Sequence, residues 1–191
     1  MPEADAKTKA GKPGVSTKAL VVLAFVAVVI YVIDRVTKYL VTENLTLGDP
    51  VQVLGEILQF HYVENPGAAF SLGSGSTWIF AIIASAVAVF IVFFARRIRS
   101  VGWAVLFGLL LGGNLGNLTD RLTREPGFGV GHVVDFIQVY LFPAIFNVAD
   151  IAIVSSMGLF ILLTLRGVGL DGERHVREPK KSESAATPDA P

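Results

Sequence analysis

The chain has 191 residues, of which 52% are hydrophobic, and its 16 basic and 16 acidic side chains give a formal net charge of zero. This composition is too apolar for an ordinary soluble domain, and the balanced charge gives no indication of a nucleic-acid partner. The lack of cysteine excludes disulfides, thiolate metal sites and a cysteine nucleophile, and the three histidines are too scattered to predict a zinc site.

Four apolar segments predict helices that cross a bilayer. The first, Ala19–Leu40, has fifteen successive apolar residues and then a polar run, so we expect the helix to continue through Asp34 while Arg35 and Lys38 snorkel. It does not resemble a signal peptide, because no small-residue cleavage site follows it. The other three predicted spans are Trp78–Ala95, Val101–Leu118 and Ala144–Leu165.

The segments outside these spans differ in character. Residues 1–18 and 167–191 are polar and are predicted to be disordered tails, which leaves residues 19–166 as one membrane domain. Within the first long loop, Val51–Val63 has partial alternation of apolar residues and predicts one or two short strands. The expected fold is therefore a membrane α-helical protein with four transmembrane helices and a small β-rich cap.

The basic residues predict the orientation of the spans. Twelve lie in the tails and in the loop between the second and third spans: Lys7, Lys9, Lys12, Lys18, Arg96, Arg97, Arg99, Arg166, Arg174, Arg177, Lys180 and Lys181. The other four are Arg35, Lys38, Arg121 and Arg124. Both termini should therefore be cytoplasmic, and the loops 41–77 and 119–143, including the β-rich cap, should be extracytoplasmic.

Three aspartates lie near that outer boundary, at Asp120, Asp135 and Asp150. Carboxylates beside apolar runs are costly and are often functional, although Asp135 could cap a helix or strand and Asp150 could simply bond a neighbouring helix. Two adjacent carboxylates can share a proton and hydrolyse an amide as general acid and general base. No serine-hydrolase or zincin motif is found in the sequence. The spacing allows Asp135 and Asp150 to meet without establishing it.

Five short motifs occur in order along residues 20–166 and carry a family resemblance. They are Asp34-Arg35-Val36-Thr37-Lys38, Asn65-Pro66-Gly67-Ala68-Ala69-Phe70-Ser71, Gly112-Gly113-Asn114-Leu115-Gly116-Asn117-Leu118-Thr119-Asp120-Arg121, Val133-Val134-Asp135-Phe136 and Phe146-Asn147-Val148-Ala149-Asp150. With four spans in the expected orientation, the chain resembles the lipoprotein signal peptidase (signal peptidase II) family, which are bacterial membrane aspartyl peptidases. Asn114 departs from the alanine common in that family.

The resemblance implies that Asp135 and Asp150 are the catalytic pair. It also implies a supporting role for the residues Asp34, Asn65, Asn117, Asp120, Arg121 and Asn147. We expect Asp120, next to Arg121, to be a structural ion-pair partner or a hydrogen-bond acceptor rather than a catalyst, because a paired carboxylate is a poor proton shuttle. The amides of Asn65 and Asn147 can orient a carboxylate or donate to a peptide carbonyl, while Asn65 could instead form a turn with Pro66-Gly67.

Further expectations follow from the same resemblance. The substrates are prolipoproteins with a diacylglyceryl-modified cysteine, which are cut just before that cysteine, and membrane lipid is the other contact. No metal, organic cofactor, nucleic acid or obligate protein partner is implied. The location is the bacterial cytoplasmic (inner) membrane, with the site at the extracytoplasmic face. The aromatic residues of the second loop are expected to be interface anchors: Phe128, Phe136, Tyr140 and Phe142.

Two rival hypotheses come from other classes of protein. In a small transporter or proton channel, Asp34, Asp120 and Asp150 would form a relay at several depths of the bilayer. In a non-catalytic membrane subunit, the polar residues would only hold helices together. The depth of the acids distinguishes these hypotheses, because a peptidase needs them at one boundary.

Overall fold

The structure is a computed structural model that describes residues 15–67 and 77–174. Its elements are the helices α1 (Thr17–Asn44), α2 (Thr77–Phe94), α3 (Val101–Thr123) and α4 (Val148–Leu165), and the strands β1 (Pro50–Leu54), β2 (Leu58–Asn65) and β3 (Val133–Val139). All four helices are long and apolar enough to cross a membrane. The predicted class, a four-helix membrane protein with a small sheet, is confirmed.

Helix α1 is longer than predicted at both ends. The Ser16 side chain accepts a hydrogen bond from the Ala19 N–H at 3.3 Å and so caps the helix, which places Thr17 and Lys18 in α1 rather than in a tail. Residues 1–14, the rest of the predicted N-terminal tail, lie outside the described residues. At the other end α1 continues past Leu40 to Asn44 and reaches the sheet.

Helix α3 lies at the centre of the bundle, where it packs on the other three helices. Its glycines make this packing close: a Cβ at Gly112 would lie 2.6 Å from the Ala27 carbonyl oxygen of α1, and one at Gly113 would lie 2.5 Å from the Ala149 carbonyl oxygen of α4. The glycines of α3 therefore form a close contact surface with the neighbouring helices.

Helix α2 is joined to α3 by a polar contact. Asn114 donates from Nδ2 to the Ala84 carbonyl oxygen at 2.8 Å. Such a bond between helices satisfies a side-chain amide within an apolar segment.

The sheet has the order β1-β2-β3 and is antiparallel throughout. Strands β1 and β2 fall in the segment predicted to be extended, whereas β3 was not predicted, because its sequence was interpreted as loop. Asp135 lies on β3 opposite Val63, and Asn65 lies opposite Val133. The segment before α4 is also extended, since Phe146 exchanges backbone hydrogen bonds with Ile137. For this reason α4 begins at Val148 and not at Ala144.

A small apolar cluster attaches the sheet to the end of α1. It consists of Val41, Tyr62, Val134 and Phe136. The expectation that Phe136 is an interface anchor is wrong, because its side chain is buried against Phe60. The anchored sheet holds β3 over the bundle and fixes the position of Asp135.

Residues 167–174 are ordered, contrary to the prediction that the tail is disordered from residue 167 onward. The Leu170 carbonyl oxygen accepts hydrogen bonds from the N–H groups of Arg99 and Ser100, both at 2.9 Å. The Trp103 indole donates to the Val168 carbonyl oxygen at 3.0 Å. This segment therefore folds back onto the start of α3. Residues 175–191 lie outside the described residues.

Candidate active site

Asp135 is buried and bound through both of its carboxylate oxygens. Oδ2 accepts from Asn65 Nδ2 at 2.8 Å, and Oδ1 accepts from Asn147 Nδ2 at 2.6 Å. Asn65 is the diagonal neighbour of Asp135 on the adjacent strand, so the pairing of β2 with β3 sets this contact. Asn65 Oδ1 also accepts from the Gly67 N–H at 2.8 Å. Asn65 therefore has both of the roles considered for it: its side chain forms a turn with Gly67 and also binds a carboxylate.

Asp150 lies in the first turn of α4, because the helix begins at Val148 and not at the predicted Ala144. It forms a capping box with Asn147: its backbone N–H donates to Asn147 Oδ1 at 3.0 Å, and its Oδ2 accepts from the Asn147 N–H at 3.1 Å. The other oxygen, Oδ1, accepts from Asn117 Nδ2 at 2.9 Å. The N-terminal end of α4 therefore presents a carboxylate whose two oxygens both accept hydrogen bonds.

The two aspartates line one cavity of about 440 Å³. Its walls are otherwise largely apolar and are formed by Asn65, Phe142, Ala144, Ile145, Phe146, Ile151, Val154 and Ser155. Asn147 contacts both aspartates, since it donates to Asp135 and caps the turn that carries Asp150. The structure thus brings together the two residues that the sequence could not join by spacing alone.

Burial and the neighbouring charge act on Asp135. Burial raises the pKa of its carboxyl group most strongly, and the negative charge of Asp150 raises it further. The hydrogen bonds from Asn65 and Asn147 and the charge of Lys38 oppose this shift, and the resulting pKa is about 6. Asp135 is therefore a carboxyl group that keeps its proton to a higher pH than an ordinary aspartate.

Beneath the pair lies a buried lysine, which corrects the expectation that Lys38 snorkels. Its ammonium group is fully buried and lies 3.0 Å from Asp34 Oδ2 and 2.8 Å from Asp120 Oδ2. It also donates to Asn117 Oδ1 at 2.8 Å. The ion pair between Lys38 and Asp34 could have been inferred from the sequence, because the two residues are four positions apart on one face of a helix.

Asp120 pairs with cations other than its sequence neighbour. Its carboxylate bonds Arg35, Lys38 and, at 2.8 Å, Arg124 Nε. The expected pair with Arg121 was wrong, because adjacent residues on a helix point about 100° apart. The broader expectation, that Asp120 is an ion-pair partner, agrees with these contacts.

Arg121 instead lies between two loops. Its guanidinium is 3.5 Å from the carbonyl oxygens of Pro66 and Gly131, and it stacks 5.1 Å from the centre of the Phe80 ring. These contacts tie the ends of β2 and α2 to the segment that enters β3. Ala68 and Ala69, expected to allow close backbone approach, lie outside the described residues.

Asp34 links α1 to the start of α4. Its Oδ1 accepts from the Ala149 N–H at 3.0 Å, so it satisfies one of the open donors at a helix N-terminus. Gly116 leaves the space that this carboxylate needs, since a Cβ there would overlap the Asp34 side chain. Asp34 therefore positions the turn that carries Asp150.

The polar groups of the site are two carboxylates, three side-chain amides and one ammonium group. Within residues 15–67 and 77–174, no cluster of three or more His, Asp or Glu side chains is arranged to hold a metal ion. Two carboxylates on one cavity, one of them with a raised pKa, can act as general acid and general base on a water molecule.

Comparison with known proteins gives one consistent result. Residues 26–166 match the family described as "Signal peptidase (SPase) II". A lipoprotein signal peptidase from Leifsonia xyli subsp. xyli is 62% identical over 173 residues, which cover 91% of this chain and 80% of the relative. One from Streptomyces griseus subsp. griseus is 45% identical, covering 90% and 86%. One from Mycobacterium tuberculosis is 42% identical, covering 87% and 84%.

Solved structures agree with this result. A bacterial membrane enzyme determined by the in meso method at 2.3 Å resolution superposes with a TM-score of 0.70 and 28% identity. The match covers 87% of this chain and 99% of that one. A second, at 1.9 Å resolution, also has a TM-score of 0.70, with 30% identity and coverage of 80% and 97%.

Proposed function

The chain belongs to the signal peptidase II family, and on that premise we propose that Asp135 and Asp150 are its catalytic pair. Removal of signal peptides from prolipoproteins is accordingly the activity of this protein. The assignment of the pair depends on one observation: both carboxylates line a single cavity and the Asn147 side chain contacts both.

The two carboxyl groups have different roles in this proposal. Asp135, whose pKa is raised to about 6, carries the proton and is the general acid. Asp150 is the general base in this proposal. Their fixed hydrogen bonds keep the two groups in place, so little reorganisation is needed during the reaction.

The reaction is hydrolysis without a covalent intermediate. Asp150 takes a proton from a water molecule, whose oxygen attacks the scissile carbonyl carbon while Asp135 gives its proton to the carbonyl oxygen. In the tetrahedral intermediate, Asp150 then passes its proton to the amide nitrogen and Asp135 regains one from the hydroxyl group. The carbon–nitrogen bond breaks, which releases a new carboxyl end and a new amino end.

The substrate carries the diacylglyceryl group of a modified cysteine and is cut just before that residue. The apolar walls of the cavity support this part of the proposal, since Ile151 and Val154 of α4 can contact acyl chains or the apolar end of a signal peptide. Binding of such a substrate uses apolar burial, whereas the peptide bond is oriented by the polar groups at the end of the cavity.

We also propose that the protein lies in the bacterial cytoplasmic membrane with both termini in the cytoplasm. The excess of lysine and arginine in the tails and in the loop between α2 and α3 supports this orientation. The sheet and the aspartate pair then face the extracytoplasmic side, where the end of a signal peptide and its lipid would arrive together.

A reconstituted cleavage assay tests the substrate. The purified protein is incubated in lipid vesicles with a prolipoprotein carrying the diacylglyceryl group and with the same precursor lacking it. We expect a single cut before the modified cysteine in the first substrate, identified from the product masses, and much slower cleavage of the second. Equal cleavage of both precursors, or a cut elsewhere, would contradict the proposed specificity.

The transporter hypothesis is not supported. The relatives that match over most of the chain are named as peptidases. Asp34, Asp120 and Asp150 also gather around Lys38 and Asn117 rather than lying at separate depths.

A further inference from the structure

Lys38 is connected to Asp150 through a single side chain, that of Asn117. Its ammonium group donates to Asn117 Oδ1 at 2.8 Å, and Asn117 Nδ2 donates to Asp150 Oδ1 at 2.9 Å. The same Asn117 oxygen accepts from Asn147 Nδ2 at 3.1 Å, and that nitrogen also donates to Asp135. Lys38, Asn117 and Asn147 thus form one network that ends on both carboxylates.

The chemistry of the network allows Asn117 only one orientation. An ammonium group donates and cannot accept, so the oxygen of the Asn117 amide must face Lys38. The nitrogen must then face Asp150, whose Oδ1 accepts its hydrogen bond. If the amide rotated by 180°, its nitrogen would face the ammonium group and its oxygen would face the carboxylate, and both contacts would be repulsive.

Building on the proposed catalytic pair, we propose that Lys38 is a positioning residue for the reaction. It fixes the orientation of the Asn117 amide, and Asn117 in turn holds Asp150 in the geometry in which it takes a proton from water. Lys38 does not touch the reacting atoms, so its effect passes through Asn117 and through its charge.

The charged groups around this network come from four elements. They are Asp34 and Arg35 on α1, Asp120 and Arg121 on α3 with Arg124 directly after it, Asp135 on β3 and Asp150 on α4. The positive charge of Lys38 is one of the influences that lower the pKa of Asp135. Loss of that charge should therefore raise the pKa of Asp135.

The test must remove the lysine without leaving an unbalanced buried charge. Asp34 is the suitable partner to change, because its Oδ2 pairs with Lys38 without hydrogen-bond geometry. Asparagine at position 34 retains an oxygen for the Ala149 N–H. The variant Asp34→Asn/Lys38→Met consequently keeps the net charge of the cluster, and Asp34→Asn alone is its reference.

A double-mutant cycle in the Asp34→Asn background separates positioning from packing. Lys38→Met and Asn117→Ala are introduced singly and together, and kcat, KM, the pH profile and Tm are measured with the lipidated precursor in vesicles. We expect Lys38→Met to lower kcat by roughly 10- to 100-fold with little change in KM, as losses of orienting partners do. The combined variant should be no slower than the slower single variant, and the descending limb of the pH profile should move to higher pH.

The opposite outcomes overturn the inference. If the two losses multiply, Lys38 does not act through Asn117; if kcat falls only in proportion to the folded fraction, its role is packing. Should Asp34→Asn/Lys38→Met fail to accumulate, Lys38→Met with Asp34 retained takes its place, and an unchanged pH profile there also contradicts the inference. Substantial activity of Asp135→Asn or Asp150→Asn would instead refute the catalytic pair, so the two failures are distinguishable.

Discussion

The side-chain amide of Asn147 donates a hydrogen bond to Asp135 Oδ1 at 2.6 Å, although the two residues lie on different elements. Asn147 is the N-cap of α4, whereas Asp135 is in the middle of β3. The start of one spanning helix is thereby fixed to the sheet. This contact, rather than any sequence spacing, determines that a carboxylate on the sheet and one on the helix share a cavity.

Removal of either carboxylate should abolish cleavage while the protein still folds. Asp135→Asn and Asp150→Asn each remove a group that carries the proton, and losses of roughly 10²- to 10⁴-fold are expected for general acid or base groups. Cleavage of the lipidated precursor in vesicles measures the activity, and Tm in detergent checks folding. A variant that keeps substantial activity would eliminate that residue from the pair.

The pH dependence should follow the proton on Asp135. Because the general acid must be protonated and its pKa is about 6, kcat should fall as the pH rises through about 6. Asn65 donates to the Asp135 carboxylate and lowers its pKa, so Asn65→Ala should move this descending limb to higher pH. The quantity to compare is the pH at the midpoint of the descending limb, because Asn65→Ala can also change the maximum value of kcat.

The matched control for this profile is Gln138→Ala. Gln138 is also on β3, but its side chain bonds His61 and not the aspartate pair. Its profile should overlay that of the unmodified protein. A limb that stays in place in Asn65→Ala, or that moves equally in Gln138→Ala, would show that Asp135 is not the titrating acid.

Asp120 should be needed for stability more than for chemistry. Asp120→Asn leaves Arg35, Lys38 and Arg124 around a neutral group, and breaking a buried ion pair of this kind costs about 3 kcal/mol. We expect lower accumulation, a lower Tm and reduced activity together, whereas Glu43→Gln, at an exposed acid on the same bundle, should change none of them. A fully stable but inactive Asp120→Asn would assign Asp120 a catalytic role.

Two glycines on neighbouring helices give a matched pair for the packing of α3 on α4. A Cβ at Gly113 would lie 2.5 Å from the Ala149 carbonyl oxygen, so Gly113→Ala should push away the turn that carries Asp150. We expect a loss of about 1–3 kcal/mol of stability together with lower activity. At Gly158 a Cβ meets nothing within 4 Å, so Gly158→Ala should leave Tm unchanged or slightly raised. Equal effects at both positions would contradict this packing.

The proposed orientation can be tested because the chain has no native cysteine. Leu47→Cys, in the exposed turn after α1, should react in intact cells with a maleimide that cannot cross the cytoplasmic membrane. Arg166→Cys, at the exposed end of α4, should react only after that membrane is opened. The reverse pattern of labelling would place the aspartate pair on the cytoplasmic side.

The helices were predictable because each has a long, nearly continuous apolar run, and a bilayer leaves few alternatives for such a segment. Their ends were less predictable. Polar caps set them, as Ser16 does for α1 and Asn147 does for α4. The missed start of α4 is why Asp150 was placed too deep in its span.

The pairing of strand β3 and the partners of Asp120 could not be obtained from local sequence. Residues 133–139 are rich in β-branched and aromatic residues, which favour a strand, but no local pattern shows that their hydrogen-bond partner is β2, some 70 positions away. In the same way, Arg121 follows Asp120 directly in sequence but points elsewhere, whereas Arg35 reaches Asp120 from another helix. Family resemblance suggested the candidate site residues, and tertiary packing decides which of them are in contact.

The capping box at Asn147 has a consequence for quality control of the purified enzyme. The Asp150 N–H donates to the Asn147 side chain, which also donates to Asp135. Exchange of this amide proton with solvent deuterium therefore requires the cap to open. Protection of that one amide therefore reports whether the proposed active centre is assembled. A preparation could be graded in this way before any substrate is added.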